Sequence, residues 1–531
     1  MRALKISKAL ARFLAIRALM ALLLFMTLAA WSMGSAVGSS PDEDYVLTSI
    51  WCANTPQLKG MDDPARNAPT TLTGRPIFAN GETCRRDLDR PNTVWVPSKV
   101  AESNCTLGPD KVGASCQKTM TTDIASTDRI NTDLYPNTYF NALHSLVGQD
   151  IYKSTIYMRL LNSLISAVLI IFTLSLNKNT STDLAVAFLS IIVPVGISLI
   201  SSVSTSSWAI TGSAIFTLSL IAVDQRSLKS KHTIICLFSC ALGFWIGNAS
   251  RYETKYQFLL IFIFVLLYKY LDFLFFLKVR KKLALFVFFL IGAIFFSSIL
   301  QVNKLFVTDF FDNQQKDKIA LLTLNFLNLP QFITGYFGSW GLNSFDALLM
   351  QTVWLFATAG FSLVICQSLR YSEKQEKVIG FTSITVFCAA ILFYLQHFFV
   401  EIRDMVQPRY FFPLLIGSSL LIVGNKKYEF SKSLIISIGF LATAANAIAL
   451  RTVIRRYVTG QNVKLSKSLN SPRDWWWTDK DSGTTLWAPA PETVWLIGSL
   501  AFAMLFAVII YERKRETLSR SSGLRCRALC I

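Results

Sequence analysis

The sequence predicts an all-α, polytopic membrane protein with about twelve transmembrane helices. Of its 531 residues, 52% are hydrophobic and only 16% are charged, and the mean hydropathy is +0.42. A soluble enzyme of this size needs a far more charged surface, so that class is excluded. The net charge of +19 comes mainly from short basic clusters between apolar runs, which are typical of cytoplasmic anchors beside anionic lipid. We therefore expect a lipid bilayer, and no nucleic acid, as the partner of these charges.

Apolar windows of about the length that crosses a bilayer set the predicted spans. Counted alternately, they place both termini and every basic cluster on the cytoplasmic side of the cell membrane. The short windows at 183–200 and 208–223 leave a re-entrant pair as an alternative to two spans. The predicted spans lie near residues 13–34, 155–176, 183–200, 208–223, 233–248, 255–277, 283–302, 345–367, 379–397, 409–424, 433–450 and 491–511.

This pattern divides the chain into five regions. Residues 1–34 form the cytoplasmic N-terminus and the first transmembrane helix, and residues 35–154 form a large extracytoplasmic loop. A multi-helix membrane domain (155–450), a further extracytoplasmic loop (451–490) and a last helix with a basic cytoplasmic tail (491–531) follow. The N-terminus also resembles a signal peptide with a small-residue cleavage region. Its apolar stretch is longer than a usual signal core, so we expect a retained helix.

The strongest functional signal is the acidic cluster Pro41-Asp42-Glu43-Asp44, which closely follows the first span. Five positive charges precede or enter that span, so its amino end stays cytoplasmic and the cluster faces outside. Carboxylates there suit a general base that takes a proton from an incoming hydroxyl, or a bound cation. We predict Asp42 or Glu43 as the catalytic base, and Asp42 with Asp44 as ligands of a divalent cation, Mg²⁺ or Mn²⁺. The alternative is a polar boundary after a helix.

The loop that follows the acidic cluster has the composition of an extracytoplasmic segment. Between Ser39 and Lys153 it holds fourteen acidic and eleven basic residues, the reverse of the overall charge balance. It also holds four of the ten cysteines, which in an oxidising compartment predict two disulfides in one of three pairings. A zinc site is the competing interpretation, although the spacing lacks a C-x-x-C pair. The rest of the loop predicts irregular structure. The four cysteines are Cys52, Cys84, Cys105 and Cys116.

Arginines at the outer ends of the predicted spans need an explanation, because positive residues outside oppose the usual charge bias. The guanidinium fork suits phosphate oxygens, so we predict a site for a donor phosphate. Pairing with neighbouring carboxylates such as Glu401 or Asp404 is the alternative. Three tryptophans at 475–477 predict either an interfacial belt or a platform for a sugar ring. The predicted phosphate-binding residues are Arg251, Arg403, Arg409, Tyr410, Arg455 and Arg456.

Several short motifs, in chain order, resemble those of a family of uncharacterised, mainly actinobacterial, polytopic membrane proteins distantly similar to GT-C glycosyltransferases. The resemblance covers roughly residues 35 to 465. One departure is Val46, where many family members are expected to have histidine. The motifs are Ser40-Pro41-Asp42-Glu43-Asp44-Tyr45, Ser49-Ile50-Trp51-Cys52, Tyr135-Pro136, Met158-Arg159-Leu160-Leu161-Asn162, Ser207-Trp208-Ala209-Ile210-Thr211-Gly212, Gly338-Ser339-Trp340-Gly341 before Asp346, Val406-Gln407-Pro408-Arg409-Tyr410 and Arg455-Arg456-Tyr457-Val458-Thr459-Gly460.

The resemblance implies a GT-C-like architecture and a polyprenyl-phosphate sugar as donor. It also implies an acidic residue of the first external loop acting at the acceptor or at a metal, a role that falls on Asp42 or Glu43. Together with the residues above, this predicts an extracytoplasmic transfer of a sugar to a cell-envelope glycan. The rival functions are a transporter or flippase of lipid-linked glycan and a non-catalytic envelope assembly factor. Charges at the span centres would favour the transporter, and the predicted centres hold almost none.

Overall fold

The computed structural model of the protein is mainly helical, with one small sheet. It describes residues 2–54, 82–87, 90, 92–107, 113–118, 123–177, 180–223, 230–276, 318–344, 346–398, 400–402, 406–424, 429–460, 468–470, 475 and 489–528. Its α-helices are α1 (Arg2–Gly34), α2 (Glu43–Trp51), α3 (Ser98–Ala101), α4 (Asn137–His144), α5 (Ile151–Leu176), α6 (Ser181–Ile192), α7 (Val195–Ile200), α8 (Thr205–Ala222), α9 (Lys231–Asn248), α10 (Thr254–Phe276), α11 (Lys318–Gly335), α12 (Gln351–Arg370), α13 (Lys374–His397), α14 (Phe412–Gly424), α15 (Lys432–Thr459) and α16 (Pro491–Ala528).

Seven helices of the described chain are long and apolar enough to cross a membrane. Their apolar portions are Ala11–Gly34, Ile151–Leu176, Thr205–Ala222, Gln351–Arg370, Glu376–His397, Lys432–Thr459 and Pro491–Glu516. Shorter apolar helical stretches cover Ser181–Ile192, Thr254–Tyr268 and Pro408–Gly424. These helices confirm the prediction of an all-α, multi-pass membrane protein. The predicted span at 283–302 lies outside the described residues.

The predicted span at 183–200 is interrupted in the structure. Helix α6 ends at Ile192, and the short helix α7 begins at Val195 after the pair Val193-Pro194. Proline has no backbone N–H to continue the helical ladder and restricts the residue before it. The predicted span at 183–200 therefore consists of two helices rather than one.

Helix α8 lies at the centre of the bundle, and 89% of its 18 residues are buried. It packs against α9 on one side and α14 on another. The α8–α9 contact is close because Gly212 faces Gly243 and Gly247, and a methyl group on Gly212 would lie 2.6 Å from the Gly243 carbonyl oxygen. Small residues of this kind let helix backbones approach in membranes, where van der Waals contact replaces the hydrophobic drive.

The segment between α1 and α5 folds over one end of the bundle. It contains α2 and a three-stranded antiparallel sheet with the order β1 (Arg85–Arg86), β2 (Val94–Pro97) and β3 (Ile124–Thr127). Val94 pairs with both Arg86 and Thr127 in the sheet register. Regular strands correct the expectation of irregular structure; they are too short to give a strong period-two pattern in the sequence.

Disulfides fasten this segment at two points. Cys52, at the C-terminal end of α2, is bonded to Cys84, and Cys105 is bonded to Cys116. The first bond holds the end of α2 beside β1, and the second closes a loop of eleven residues after α3. The structure thus selects one of the three pairings that the sequence left open.

The end of the bundle beneath this segment is where the helix termini meet. It gathers the C-terminal ends of α1, α9, α11 and α15 and the N-terminal ends of α8, α10 and α14. A 3₁₀ helix, Pro408–Phe411, leads into α14. Helix α11, which includes residues 321–329, also reaches this end of the bundle. This helix continues past Pro330 to aromatic residues that pack on Phe411 and Phe412.

Candidate functional site

Asp42 occupies a strained position at the start of α2. Its φ is 57° and its ψ is 22°, a left-handed conformation that a non-glycine residue adopts rarely and often at functional sites. Helix α2 itself is buried along its whole length, whereas the Asp42 side chain is 41% exposed. The turn before α2 therefore holds one carboxylate at the edge of water while the next residues are enclosed.

Two guanidinium groups bind Asp42. Its Oδ2 accepts a hydrogen bond from Arg409 Nη2 at 2.5 Å, and its Oδ1 accepts one from Arg129 Nη2 at 3.3 Å. Partial burial alone would raise the pKa of Asp42, but the charges and hydrogen bonds of Arg409 and Arg129 outweigh it and lower the pKa below the usual 3.8. Asp42 is therefore ionised at neutral pH.

Asp44 lies on the same face and shares Arg129 with Asp42. Arg129 Nε donates to Asp44 Oδ2 at 2.9 Å and Arg129 Nη2 donates to Asp44 Oδ1 at 3.0 Å. The positions predicted for a divalent cation are thus bridged by a guanidinium. Across the described ranges, no three His, Cys, Asp or Glu residues group closely enough to hold a metal ion. A metal requirement stays a prediction that rests on Asp42 and Asp44.

Glu43 points into the opposite, fully enclosed side of α2. Its side chain is 0% exposed, and three hydrogen bonds of 2.7 to 3.0 Å join its oxygens to Arg159 of α5. The backbone N–H groups of Ser40 and Val203 also donate to it. Arg159 also donates to the carbonyl oxygens of Ser32, near the end of α1, and of Ser35 and Ala36, just after it. Glu43 therefore links α2 to α5 and to the turn before α8.

Arg251 forms the second basic centre of the site. Its Nε donates to Glu253 Oε1 at 2.6 Å and its Nη1 donates to Ser206 Oγ at 2.9 Å. Its guanidinium carbon lies 5.3 Å from the ring centre of Tyr135 and 4.8 Å from that of Tyr410. Cation–π contacts of this length are attractive, and more so when water is excluded.

These contacts close into a ring, because each member touches the next. Arg409 also lies 5.3 Å from the Tyr410 ring centre, Tyr45 and Tyr135 meet edge to face at 6.0 Å, and Arg129 lies over Tyr45. We call this set the arginine ring. Its members are Asp42, Arg409, Tyr410, Arg251, Tyr135, Tyr45 and Arg129.

The arginine ring is electrically balanced but unevenly exposed. Its three arginines face three carboxylates, those of Asp42, Asp44 and Glu253. The side chains of Arg409 and Arg251 are 5% and 6% exposed, whereas their partners Asp42 and Glu253 are 41% and 39% exposed. An anion can therefore take the place of a carboxylate that returns to water, while the two arginines stay in position.

A small pocket, with a cavity volume of about 30 Å³, adjoins the arginine ring. It lies between the turn after α11, the 3₁₀ helix before α14 and the turn before α2. Asn343 at its base accepts from Ser198 Oγ and donates to the Tyr457 hydroxyl at 2.6 Å. We call this cavity the outer pocket. Its lining includes Pro41, Ser198, Trp340, Asn343, Gln407 and Arg409.

The other predicted phosphate-binding arginines lie apart from the arginine ring. Arg456 forms an ion pair with Asp346 at 3.3 Å and donates to the Thr106 carbonyl oxygen at 2.7 Å. Arg455 is half-buried one residue earlier, and Arg403 lies outside the described residues. Of the tryptophans at 475–477, Trp475 is buried rather than displayed as a platform, and the other two are outside the described part.

Sequence reasoning missed two of the arginines that bind the acidic cluster. Arg159 was part of a family motif but was not predicted to have a role. A charged residue inside a predicted span is nevertheless a signal of function or of a buried partner. No sequence feature singled out Arg129. It is one of several charges in a polar loop, and only the fold of β3 and α2 brings it to Asp42 and Asp44.

The family DUF2142, described as a predicted membrane protein, matches residues 24–417 and so covers the acidic cluster, Arg251 and Arg409. The chain belongs to this family. No curated protein and no solved structure matches it significantly. The predicted membership of an uncharacterised membrane-protein family is thereby confirmed, and the membrane location with several apolar helices agrees with it.

Proposed function

We propose that this DUF2142 protein is a GT-C-like glycosyltransferase of the cell membrane. In this proposal it has twelve spans with both termini in the cytoplasm, and the arginine ring lies at the extracytoplasmic surface. The donor is a polyprenyl-phosphate sugar, and the acceptor is a hydroxyl of a cell-envelope glycan. The alternate count of spans supports this side, because it assigns the outer face to the helix ends that meet at Asp42.

The observation that carries the proposal is the pair Asp42–Arg409. A carboxylate that water can reach is held by a buried arginine. The arginine lines the pocket, as does Pro41, the residue before Asp42. Acid–base chemistry needs an accessible carboxylate, and binding of a phosphate needs a fixed arginine. Arg251, which also lies near the Tyr410 ring, supplies a second buried charge for the same donor.

The transfer is a substitution at the anomeric carbon of the donor sugar. The acceptor oxygen forms a bond to that carbon as Asp42 accepts the hydroxyl proton, and the bond from the carbon to the phosphate oxygen breaks. The electron pair of that bond leaves with the polyprenyl phosphate, whose growing negative charge Arg409 and Arg251 stabilise. A divalent cation, if used, would add to this stabilisation next to Asp42 and Asp44.

Donor binding would also make Asp42 a stronger base. In the unliganded site Arg409 lowers the pKa of Asp42, which favours ionisation but weakens proton abstraction. A donor phosphate competes for the Arg409 guanidinium and withdraws part of that stabilisation. The carboxylate then becomes more basic at the moment when an acceptor can be used, which limits unproductive chemistry before the donor arrives.

The test begins with lipid-linked sugars and envelope glycans profiled in cells with and without the protein. The substrates found in this way are then used with protein reconstituted in vesicles. We expect Asp42→Asn to lower the turnover by about a hundred- to ten-thousand-fold, the usual contribution of a positioned base. Arg409→Lys should weaken donor binding more than turnover, because lysine keeps the charge and loses the fork.

The matched control is Asp128→Asn, which removes an exposed carboxylate from the same loop, next to Arg129. It should transfer sugar at the normal rate. Normal transfer by Asp42→Asn at normal abundance would leave the acidic cluster as a helix boundary and remove the main support for the enzymatic function. In cells that lack the protein, accumulation of the lipid-linked sugar on the cytoplasmic leaflet alone would instead favour a flippase.

A further inference from the structure

The loop that follows α11 contacts the turn that carries Asp42. The backbone N–H of Ser344 donates to the Ser39 carbonyl oxygen at 3.0 Å. The Ser344 hydroxyl lies 3.1 Å from the same oxygen and 3.3 Å from the Ser40 carbonyl oxygen, so it can donate to either. Ser39 and Ser40 are buried and come just before Pro41 and Asp42. Ser344 therefore holds the backbone that leads directly to the Asp42 carboxylate.

The backbone of Asp42 needs such support. Its left-handed conformation costs free energy in a residue with a Cβ atom, and it persists only where neighbouring contacts fix it. Arg159 fixes the chain before the turn by binding the carbonyl oxygens of Ser35 and Ala36, and α2 begins directly after the turn. Ser344 acts between these two supports. Loss of its contact would let the turn relax, and the Asp42 carboxylate would then leave its place beside the arginines.

Tyr457 of α15 holds the loop on both sides of Ser344. Its hydroxyl accepts a hydrogen bond from the side-chain amide of Asn343 at 2.6 Å and donates to the Asp346 carboxylate at 3.1 Å. Asn343 is itself left-handed, with φ at 58°, and Asp346 is ion-paired with Arg456. Tyr457 is fully buried, so these hydrogen bonds are shielded from competing water. The loop is thus fixed to the end of α15 and presents Ser344 to the turn.

These contacts make the loop and the end of α15 a support for the base. We infer that Ser344 and Tyr457 are positioning residues that hold the carboxylate of Asp42 against Arg409. Ser344 acts directly on the turn, and Tyr457 acts through the loop that carries Ser344. Both segments belong to motifs that the arginine ring leaves without a role, the one that precedes Asp346 and the one around Tyr457. The inference rests on the proposed transfer and adds what keeps its base in place.

The first test needs no substrate. Hydrogen exchange of the full-length protein in lipid nanodiscs is followed by mass spectrometry in a peptide that covers residues 36–47. This peptide reports the turn, because the Glu43 N–H donates to the Ser40 carbonyl oxygen at 3.0 Å. Ser344→Ala should speed its exchange about fivefold, since one net hydrogen bond that opposes local opening is lost.

Two further variants define the path of the support. Tyr457→Phe removes the hydroxyl that joins Asn343 to Asp346, and it should speed exchange in the same peptide about fivefold or more. The matched control is Ser339→Ala, which removes a hydroxyl that contacts Thr334 at 2.9 Å, near the start of the same loop. It should leave exchange of the peptide unchanged.

The second test uses the substrates that profiling identifies, with protein reconstituted in vesicles. Ser344→Ala should lower kcat by about ten- to a hundredfold, because a small displacement of a catalytic group has an effect of this size. The KM for the donor should stay the same, since Arg409 and Arg251 remain in position. Ser344→Thr restores a hydroxyl and should recover most of kcat, and Ser339→Ala should transfer normally.

The pH profile separates positioning from a loss of folded protein. The two arginines hold the pKa of Asp42 below its usual value, so a carboxylate that has left Arg409 should titrate at higher pH. The fall in kcat/KM at acid pH should therefore move to higher pH in Ser344→Ala. A loss of folded protein lowers the rate equally at every pH. The charged and titratable groups that face Asp42 are Arg409, Arg129, Asp44 and Tyr45.

The outcomes separate this inference from the proposed chemistry. Faster exchange in Ser344→Ala and Tyr457→Phe, combined with normal transfer by Asp42→Asn, would retain the support of the turn and reject the base. Transfer that depends on Asp42, combined with normal exchange and normal kcat in Ser344→Ala, would retain the base and reject the positioning. An equal effect of Ser339→Ala, or a raised KM with an unchanged kcat, would also overturn the inference.

Discussion

Replacing Glu43 with glutamine tests whether this carboxylate stabilises the fold or takes part in the chemistry. Glutamine has the same shape, but it leaves the buried Arg159 without a counter-charge and puts an N–H₂ group opposite its guanidinium. Both side chains are at most 1% exposed, and Glu43 accepts from Arg159 three times and from two backbone N–H groups. Removing one partner of such a buried ion pair costs about 3–5 kcal/mol. That loss is a large part of a typical stability of roughly 5–15 kcal/mol.

The assay is equilibrium unfolding of the purified protein in mixed micelles, followed by tryptophan fluorescence. Glu43→Gln should lower the free energy of unfolding by about 3–5 kcal/mol, and its abundance in the membrane should fall. Asp42→Asn should cost about 1 kcal/mol, because water reaches 41% of that side chain and screens its charge. The double variant Glu43→Gln with Arg159→Met should recover part of the loss, since no buried charge then lacks a partner.

Two results would refute this reasoning. If Glu43→Gln is as stable as the wild type yet inactive, Glu43 acts in the chemistry and its pairing with Arg159 is not what holds α2. If Asp42→Asn destabilises the protein as strongly as Glu43→Gln, the exposed carboxylate is structural as well. The two variants change neighbouring residues and each removes one carboxylate, so the comparison isolates the effect of burial.

The remaining predictions concern the loop, the base and the helix contact. In intact cells a membrane-impermeant thiol reagent should label Cys52 and its partner Cys84 only after reduction, and labelling without reductant would contradict the disulfide. In steady-state kinetics, the fall in rate at acid pH that protonation of Asp42 causes should occur at higher pH for kcat, which reports the substrate complex, than for kcat/KM, which reports the free enzyme. If both profiles fall at the same pH, the donor phosphate does not compete with Asp42 for Arg409. Gly212→Val should destabilise the protein by about 1–3 kcal/mol through overpacking, measured by unfolding, whereas Gly360→Ala, with its nearest atom at 3.7 Å, should be close to neutral.

The sequence predicted the membrane class and singled out a candidate site, because both depend on local signals. Long apolar runs and basic clusters indicate spans directly, and a Pro-Asp-Glu-Asp run beside a span is visible as a string. It did not distinguish Asp42 from Glu43. Asp42 lies in a left-handed turn before α2, whereas Glu43 is the first residue of that helix, so their side chains diverge. Asp42 meets Arg409 and Glu43 meets Arg159, and these arginines lie 367 and 116 positions away.

The same long-range pairing explains why only some of the predicted phosphate-binding arginines belong to the arginine ring. Positive charge at an outer helix end was a sound reason to select Arg251, Arg409 and Arg456, yet it could not show which carboxylate each one meets. Arg456 pairs with Asp346, a carboxylate that is itself almost enclosed, so both ends of that pair are fixed. Arg251 and Arg409 instead pair with carboxylates that water reaches. Exchange of an anion is easy only where one partner can return to solvent, because desolvation is the main cost of moving a charge. The difference in exposure between the two partners, rather than the number of arginines, therefore supports the proposal that a donor phosphate binds at Arg251 and Arg409.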